Sequence, residues 1–317
     1  MKRANEGAAL LAVLWLSAAL SAIAFSVAST VRGETERAAT SVDDVRSYYL
    51  ATGAIQRAIL HYQWGPEFYR PGTPVLHLHF PSGESVVEII PETAKLNINS
   101  ALPEDLYRLL IALGENGSQA SELTAAIVDW RTPAPENKLS PFDAFYLSLS
   151  PSFRSPHASF QEIEELLSVK GMTPDLFYGT YERETRSGPP RLVAKGGLRD
   201  CVSTHGAVGS FEINTASPAV LLAAGLAPDQ VAALVQRREQ QPFTSPDEVR
   251  AFASGLGPAG EHLRLGGNTI YTFRATVRLR LQNGQLSDMQ RTVAALISFK
   301  PSGFDATFHV MRWYDRG

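Results

Sequence analysis

Cysteine is almost absent from this chain of 317 residues, which contains only Cys201. A single thiol excludes an intrachain disulfide framework and a cysteine-rich zinc site. An excess of basic residues is also missing, because 29 Lys and Arg stand against 32 Asp and Glu and leave a formal net charge of −3. The chain as a whole therefore lacks the electrostatic footprint of a nucleic-acid-binding protein. No G-x-S-x-G, P-loop or H-E-x-x-H motif occurs, so neither an enzyme nor a cofactor is predicted.

Charge itself is missing from Ala8 to Val31, a run of 24 residues that also lacks proline and glycine. As a helix this run is about 36 Å long, enough to cross a hydrocarbon core of roughly 30 Å. We therefore predict a transmembrane segment over residues 8–31. Lys2 and Arg3 precede it, and the positive-inside rule then keeps the amino end in the cytoplasm and places the rest of the chain across the membrane.

Three kinds of targeting segment fit the start of the chain. Residues 22–24 and 26–28 resemble the small-x-small cleavage sites of secretory signals, and an uncleaved signal anchor also fits. The third is a prepilin leader, a short basic peptide over residues 1–7 that ends in Gly7, directly before an apolar helix that begins with Ala8.

The residues that follow favour the prepilin leader, because apolar side chains recur at helical spacing over residues 32–64 without a proline. A stem helix over 32–64 would continue the transmembrane segment and give one helix of roughly 85 Å. Its first half would be apolar all round and its second half amphipathic. That is the shape of a pilin stem, whose upper half packs against its own globular head.

Strand patterns early and late in the chain enclose a helical region. The order predicts an α+β fold in which a pilin-like antiparallel sheet is interrupted by an inserted helical domain. The two parts of the sheet core are predicted over residues 65–90 and 258–317. The predicted strands cover residues 75–80, 85–90, 269–281, 289–299 and 306–314.

The predicted insertion contains an internal repeat. Residues 95–101 (KLNINSA) and 211–217 (FEINTAS) each precede a helical pattern, and the second helix of each copy ends on an arginine, Arg131 or Arg238. An acidic third helical stretch follows in both copies. We predict two small helical domains over residues 91–182 and 211–257, joined by a linker or strand–loop passage over residues 183–210.

The second copy resembles a helix–hairpin–helix (SAM-like) module of bacterial competence DNA-binding proteins. Such modules bind phosphates through backbone N–H groups of a Gly-hydrophobic-Gly hairpin. Here the hairpin reads Gly225-Leu226-Ala227-Pro228, and residues 211–254 carry three arginines against five acidic residues. Because phosphate binding needs the opposite balance of charge, we predict protein-packing modules and expect no nucleic acid. A membrane-anchored nucleic-acid receptor remains an alternative.

Taken together, these residues resemble the protein K family of the type II secretion system, the large minor pseudopilins. The resemblance covers essentially the whole chain. Five stretches carry it in this order: the Gly7/Ala8 junction, Leu96-Asn97-Ile98-Asn99, Asp129-Trp130, Glu164-Glu165-Leu166 with Val169-Lys170-Gly171, and Ile213-Asn214-Thr215-Ala216.

The resemblance implies a non-enzymatic subunit at the tip of the pseudopilus, which starts or caps filament assembly for protein export across the outer membrane. It implies cleavage after Gly7 by the prepilin peptidase, N-methylation of Ala8, an anchor in the inner membrane and a head in the periplasm. The implied partners are minor pseudopilins I and J, with minor pseudopilin H and the major pseudopilin as further candidates, besides the peptidase and inner-membrane lipid. A tip minor pilin of a type IV pilus is an alternative that the leader does not distinguish.

The fifth residue after the predicted cleavage is Ala12, where most pilin-like proteins have glutamate. A carboxylate in the bilayer is costly unless a neighbouring amine neutralises it, and a subunit without it is suited to start or cap a filament. The residues predicted to pack in the membrane and the filament are Leu10, Leu11, Ala12, Val13, Leu14, Trp15 and Leu16.

The resemblance also implies a calcium site beyond Asp129-Trp130, where the family continues with acidic residues and Gly-Ala-Glu. This chain reads Pro141-Phe142-Asp143 there, and Asp129, Glu136 and Asp143 fall short of the six to eight oxygens that calcium takes. No metal is predicted, and whether a calcium site is retained near Asp129 and Asp143 stays open.

Two histidines also lie close in the sequence. His77 and His79 are two residues apart on a predicted strand, without a third candidate ligand nearby, and no metal site is predicted there either.

Overall fold

A computed structural model describes residues 4–65, 67–69, 74–134, 138–184, 191–267, 269–299 and 306–315. The α-helices are α1 (Ala4–Trp64), α2 (Pro103–Leu113), α3 (Gly117–Arg131), α4 (Asp143–Ser148), α5 (Pro174–Tyr178), α6 (Leu198–Cys201), α7 (Pro218–Ala223), α8 (Pro228–Gln240) and α9 (Pro246–Ala253). The strands are β1 (Val75–Phe80), β2 (Gly83–Pro91), β3 (Leu96–Asn97), β4 (Gly179–Glu184), β5 (Arg191–Gly196), β6 (Val202–Ser203), β7 (Phe211–Glu212), β8 (Leu263–Arg264), β9 (Ile270–Leu279), β10 (Arg291–Phe299) and β11 (Phe308–Tyr314). Three 3-10 segments span Glu92–Ala94, Ile163–Ser168 and Ser254–His262.

The predicted stem is one unbroken helix. α1 has 61 residues, which corresponds to about 90 Å, and it passes through Gly33 and Gly53 without a break. Lys2 and Arg3, from which the orientation in the membrane was predicted, lie outside the described residues. Along residues 10–46 the helix is almost entirely exposed, and from Ser47 onward one of its faces is buried. The head therefore packs within the upper half of the helix, along residues 47–64.

Five antiparallel strands form the sheet beneath this upper half, in the order β1-β2-β9-β10-β11. The predicted hairpin is confirmed, since β1 pairs with β2 from Val75↔Glu88 to Phe80↔Gly83. Gly83 is required at the turn, because a Cβ there would lie 2.2 Å from the carbonyl oxygen of Arg278. The three later strands are also confirmed, within two residues at most boundaries.

The core of the sheet is formed by alternate strand residues and one stripe of α1. Ala51, Ala54 and Ala58 of the helix are fully buried, and their small side chains let the helix lie close to the sheet. The strand residues that share this core include Val87, Ile89, Phe273, Ala275, Val277, Val293, Ala295 and Ile297.

The helical region is inserted between β2 and β9, which are neighbours in the sheet. Its two repeats differ from the prediction of two small domains, because one hydrophobic core runs through both of them. α2 of the first repeat packs directly against α7 of the second. Each repeat begins with a two-residue strand that pairs in parallel with a later one, β3 with β6 and β7 with β8.

Between the repeats, residues 179–184 and 191–203 form the strands β4, β5 and β6 and the short helix α6. β4 and β5 form an exposed antiparallel hairpin, whose residues 185–190 lie outside the described residues. Beyond it, Leu198 and Val202 are fully buried and belong to the shared core. The third helical stretch also differs between the copies, because it is a 3-10 segment, Ile163–Ser168, in the first and the α-helix α9 in the second.

Candidate assembly surfaces and head joints

The lower half of α1 presents an apolar surface that the described part of the chain does not cover. Trp15 is 76% exposed, and each of the other large residues predicted to pack in the membrane is more than half exposed. Among the described residues α1 is the one helix long and apolar enough to cross a membrane, with a window of mean hydropathy 2.2. Gly7 and Ala8 lie in its first turns.

A second exposed apolar surface lies on the upper half of α1, opposite the face that packs on the sheet. Val42, Val45, Tyr49 and Leu60 are spaced by three, four and eleven residues, which places them on one side of the helix. They are 56%, 51%, 68% and 42% exposed. We call these four residues the stem stripe.

A buried polar group joins the insertion to the sheet. Lys95 Nζ donates to Glu92 Oε1 at 2.9 Å, and Thr272 Oγ1 of β9 donates to the same oxygen at 2.6 Å. Burial opposes ionisation of Glu92, but the Lys95 ammonium and the hydrogen bonds outweigh it and lower the pKa of Glu92. Removing one member of such a pair leaves a buried charge without a partner, so this joint fixes how the insertion sits on the sheet. Thr272 is 180 residues from Glu92 in the sequence, so no local pattern indicates this joint.

Further ion pairs link the insertion to the outer face of the sheet. Arg274 on β9 lies 2.9 Å from Asp200, and Arg312 on β11 pairs with Glu162. All four side chains remain partly exposed, so each pair contributes modestly to stability.

Equivalent hydrogen bonds establish the internal repeat in the structure. In the first copy Asn99 donates to the carbonyl of Phe160 at 2.9 Å and accepts from its N–H at 2.8 Å. Asn214 does the same for Phe243 in the second copy, at 3.0 and 2.9 Å. Each Asn comes from one of the motifs that the sequence singled out.

The arginine that ends the second helix of each copy has the same role. Arg131 donates to the carbonyl oxygens of Ile98 and Ala101 through two different nitrogens. Arg238 donates to the carbonyls of Ile213 and Ala216, at 3.0 and 2.7 Å, through Nη1 alone. Both arginines thus hold the segment that leads into the first helix of their repeat.

The turn between α7 and α8 is where a helix–hairpin–helix module would meet phosphate. Gly225 has a φ of +94°, the left-handed conformation that glycine accommodates. The N–H of Ala227 donates to Oε1 of Gln230 at 3.0 Å, so an amide at the start of α8 already has an acceptor. The helix–hairpin–helix assignment stays a prediction.

Asp129 near the end of α3 and Asp143 at the start of α4 are the two described aspartates of the expected calcium site. Ser140 donates to both of them, through its N–H to Asp143 Oδ2 at 2.7 Å and through its hydroxyl to Asp129 Oδ2 at 2.9 Å. His157 lies between the two aspartates, a position that sequence analysis missed because it is 28 residues from Asp129. Glu136 lies outside the described residues. Elsewhere, too, the described residues contain no group of three His, Cys, Asp or Glu that could hold a metal ion.

Trp130 beside Asp129 is a packing residue. It is 4% exposed and its ring lies 5.5 Å from that of Tyr146 and 6.1 Å from that of Phe160. The Tyr146 hydroxyl in turn accepts from the N–H of Lys170 at 3.2 Å. The Trp of the Asp-Trp pair therefore belongs to an aromatic cluster at the end of α3.

The remaining titratable candidates show no catalytic arrangement in the part of the chain that the structure describes. Cys201 is buried, and burial raises the pKa of its thiol to about 11, which suppresses the reactive thiolate. His77 and His79 lie exposed on β1, where His79 Nδ1 is 3.5 Å from a carboxylate oxygen of Glu84.

Comparison with known proteins gives two family models and a solved structure. Both models are described as type II secretion system (T2SS), protein K, and they match residues 91–179 and 211–264. A chain of the crystal structure of the GspK-GspI-GspJ complex from the type 2 secretion system of enterotoxigenic Escherichia coli is similar in fold, with 15% identity and a TM-score of 0.55. The similarity covers 88% of this chain and 98% of that chain. No curated protein matches the chain.

Proposed function

The chain belongs to the protein K family of the type II secretion system, whose members are minor pseudopilins, and on that premise we propose that it forms the tip of a pseudopilus. There it starts or caps the filament whose assembly drives protein export across the outer membrane. The observation that carries the proposal is the division of α1, with an uncovered apolar half for the membrane and the filament and an upper half that bears the head. The role requires no catalysis.

The proposal includes processing of the amino terminus. Cleavage after Gly7 by the prepilin peptidase leaves Ala8 as the methylated first residue, an inner-membrane anchor over residues 8–31 and a periplasmic head. The mass of the mature amino-terminal peptide tests this directly. A methylated Ala8 is expected, and an intact Met1 or a start near Ser26 would contradict the prepilin leader.

The tip position rests on Ala12 and on the size of the head. Because Ala12 provides no carboxylate for the amine of a neighbouring subunit, this chain gains nothing from the pairing that repeats along a filament. The head comprises about 250 residues, counted from the end of α1. A head of this size is difficult to stack closely, so a terminal position accommodates it best.

We further propose that minor pseudopilins I and J pack along the stem stripe. The similar crystal structure contains GspI and GspJ beside GspK, and an apolar helical stripe suits another amphipathic helix. In cells that also make I and J, Tyr49→Glu should reduce their co-purification at least tenfold. Thr40→Glu adds the same charge on the other side of α1 and should leave it unchanged. Equal recovery with both variants would place the partners elsewhere.

A further inference from the structure

Within the described residues, the loop region 129–157 lacks the donors for the calcium site that the family resemblance implies. Calcium takes six to eight oxygen ligands, often from several carboxylates. The described residues offer two carboxylates, Asp129 and Asp143, and both accept hydrogen bonds from Ser140. The geometry of this loop therefore already satisfies oxygens that a calcium ion would need.

His157 occupies the space between the two aspartates. Its Nε2 lies 3.2 and 3.3 Å from the two carboxylate oxygens of Asp143, and its Nδ1 lies 3.2 Å from the backbone carbonyl oxygen of Asp129. A carbonyl and an ionised carboxylate only accept hydrogen bonds, so both ring nitrogens of His157 must donate. The ring and its hydrogen bonds therefore occupy the space between the two aspartates where a metal ion would be expected.

The surrounding structure holds this histidine in place. The side chains of His157 and Asp143 are 12% and 5% exposed. His157 has a φ of +45°, a left-handed conformation that costs energy in most residues other than glycine. Directly after it, the N–H of Ala158 donates to the carbonyl of Trp130 at 3.1 Å, which ties the far end of the loop to α3.

We propose that His157 replaces a divalent cation as the cross-link of this loop, so that the first repeat folds and keeps its shape without calcium. A calcium ion at the same place would have to displace the His157 ring and break its hydrogen bonds to Asp129 and Asp143. The inference does not depend on the proposed position at the filament tip, because it concerns only the internal structure of the head.

The first test measures calcium dependence of the purified full chain in detergent micelles. Its Tm should be the same in excess Ca²⁺ and in excess EDTA. Tb³⁺ added in place of Ca²⁺ should give no emission sensitised by Trp130, which adjoins Asp129. A Tm that rises with Ca²⁺ would overturn the proposal. Tb³⁺ emission that Ca²⁺ abolishes and that Asp129→Asn removes would overturn it as well.

The second test removes the histidine. His157→Gln removes the ring and its hydrogen bonds and should lower Tm by about 5 °C, while His309→Gln at an exposed position of β11 should leave it unchanged. An unchanged Tm in His157→Gln would show that the histidine is not the cross-link.

If His157→Gln fails to fold, hydrogen exchange on the unmodified chain still tests whether the loop keeps its shape without calcium. The Ala158 amide should be equally protected in Ca²⁺ and in EDTA. Protection that appears only with Ca²⁺ would overturn the proposal.

Discussion

Asn214 holds Phe243 by both ends of its side-chain amide, donating to the Phe243 carbonyl at 3.0 Å and accepting from its N–H at 2.9 Å. Asn214 is 7% exposed, so water cannot easily replace either hydrogen bond if one is lost. Asn214→Asp exchanges the donor for an oxygen that faces the carbonyl oxygen. We expect the free energy of unfolding to fall by about 2–3 kcal/mol, as measured by urea unfolding followed by circular dichroism.

The matched control for this variant is Asn283→Asp in the exposed turn after β9. Asn283 Oδ1 accepts from the N–H of Gln285 at 3.0 Å, and aspartate keeps that acceptor. The free energy of unfolding of Asn283→Asp should stay within about 0.5 kcal/mol of that of the unmodified chain. Equal losses in the two variants would contradict the role given to Asn214.

The two arginines that end the second helices should differ in their tolerance of lysine. Arg131 reaches its two carbonyls with separate nitrogens, whereas Arg238 reaches both with one nitrogen. A lysine ammonium is a single point donor and can imitate only the second arrangement. Arg131→Lys should cost about 1–2 kcal/mol and Arg238→Lys less than about 1 kcal/mol of unfolding free energy. The opposite order in chemical unfolding would refute this reading of the geometry.

The His157–Asp143 pair predicts a pH dependence of stability. Burial disfavours the charged ring, but the hydrogen bonds to Asp143 and Asp129 outweigh it and raise the pKa of His157 above its ordinary 6.5. Its stabilisation is complete below pH 6.5 and is lost as pH rises through the raised pKa. Burial likewise opposes the Asp143 carboxylate, yet hydrogen bonds from Ser140 and His157 hold the pKa of Asp143 below its ordinary 3.8.

For Asp143 the stabilisation is present above pH 3.8 and is lost as pH falls through the lowered pKa. The pair therefore stabilises the head most between pH 3.8 and pH 6.5. The other titratable or charged groups around it are Asp129, Arg154 and Tyr146. Tm should decline above neutral pH in the unmodified chain and decline less in His157→Gln. Parallel Tm profiles of the two proteins from acid to alkaline pH would contradict the prediction.

The contact between α1 and the sheet should not tolerate larger side chains. Ala54 is fully buried there, and Ala54→Leu adds volume that the packed core must accommodate by shifting. We expect a loss of about 1–3 kcal/mol in unfolding free energy. Ala38→Leu on the exposed part of α1 is the control and should change little. If both variants unfold like the parent, the close approach of helix and sheet is not required.

The sequence predicted the elements whose patterns are local. α1 follows from an uninterrupted run of helical residues, and β1 and β2 follow from alternation around a turn at Gly83. The internal repeat was visible because the residues around Asn99 and Asn214 share a motif and the same side-chain function.

Relationships between distant residues were not visible in the same way. Pairing of β2 with β9 spans the whole insertion, and no local pattern specifies which later strand returns to β2. His157 has no special neighbours in the sequence, and its role arises only when the loop folds it back onto Asp129 and Asp143. The shared core of the two repeats likewise depends on α2 meeting α7, which periodicity within each helix does not determine.

The register of β2 and β9 has a consequence for how such a head is built. Pro91 at the end of β2 lies opposite Tyr271 near the start of β9, so the chain leaves the sheet and re-enters it at facing positions. β2 and β9 are therefore paired like the two strands of a hairpin, and the whole helical region is the connection between them. Because its two ends meet, it can lengthen, shrink or be exchanged without shifting any strand of the sheet. A short turn at the same place would keep the five strands and their packing against α1 and leave a much smaller head.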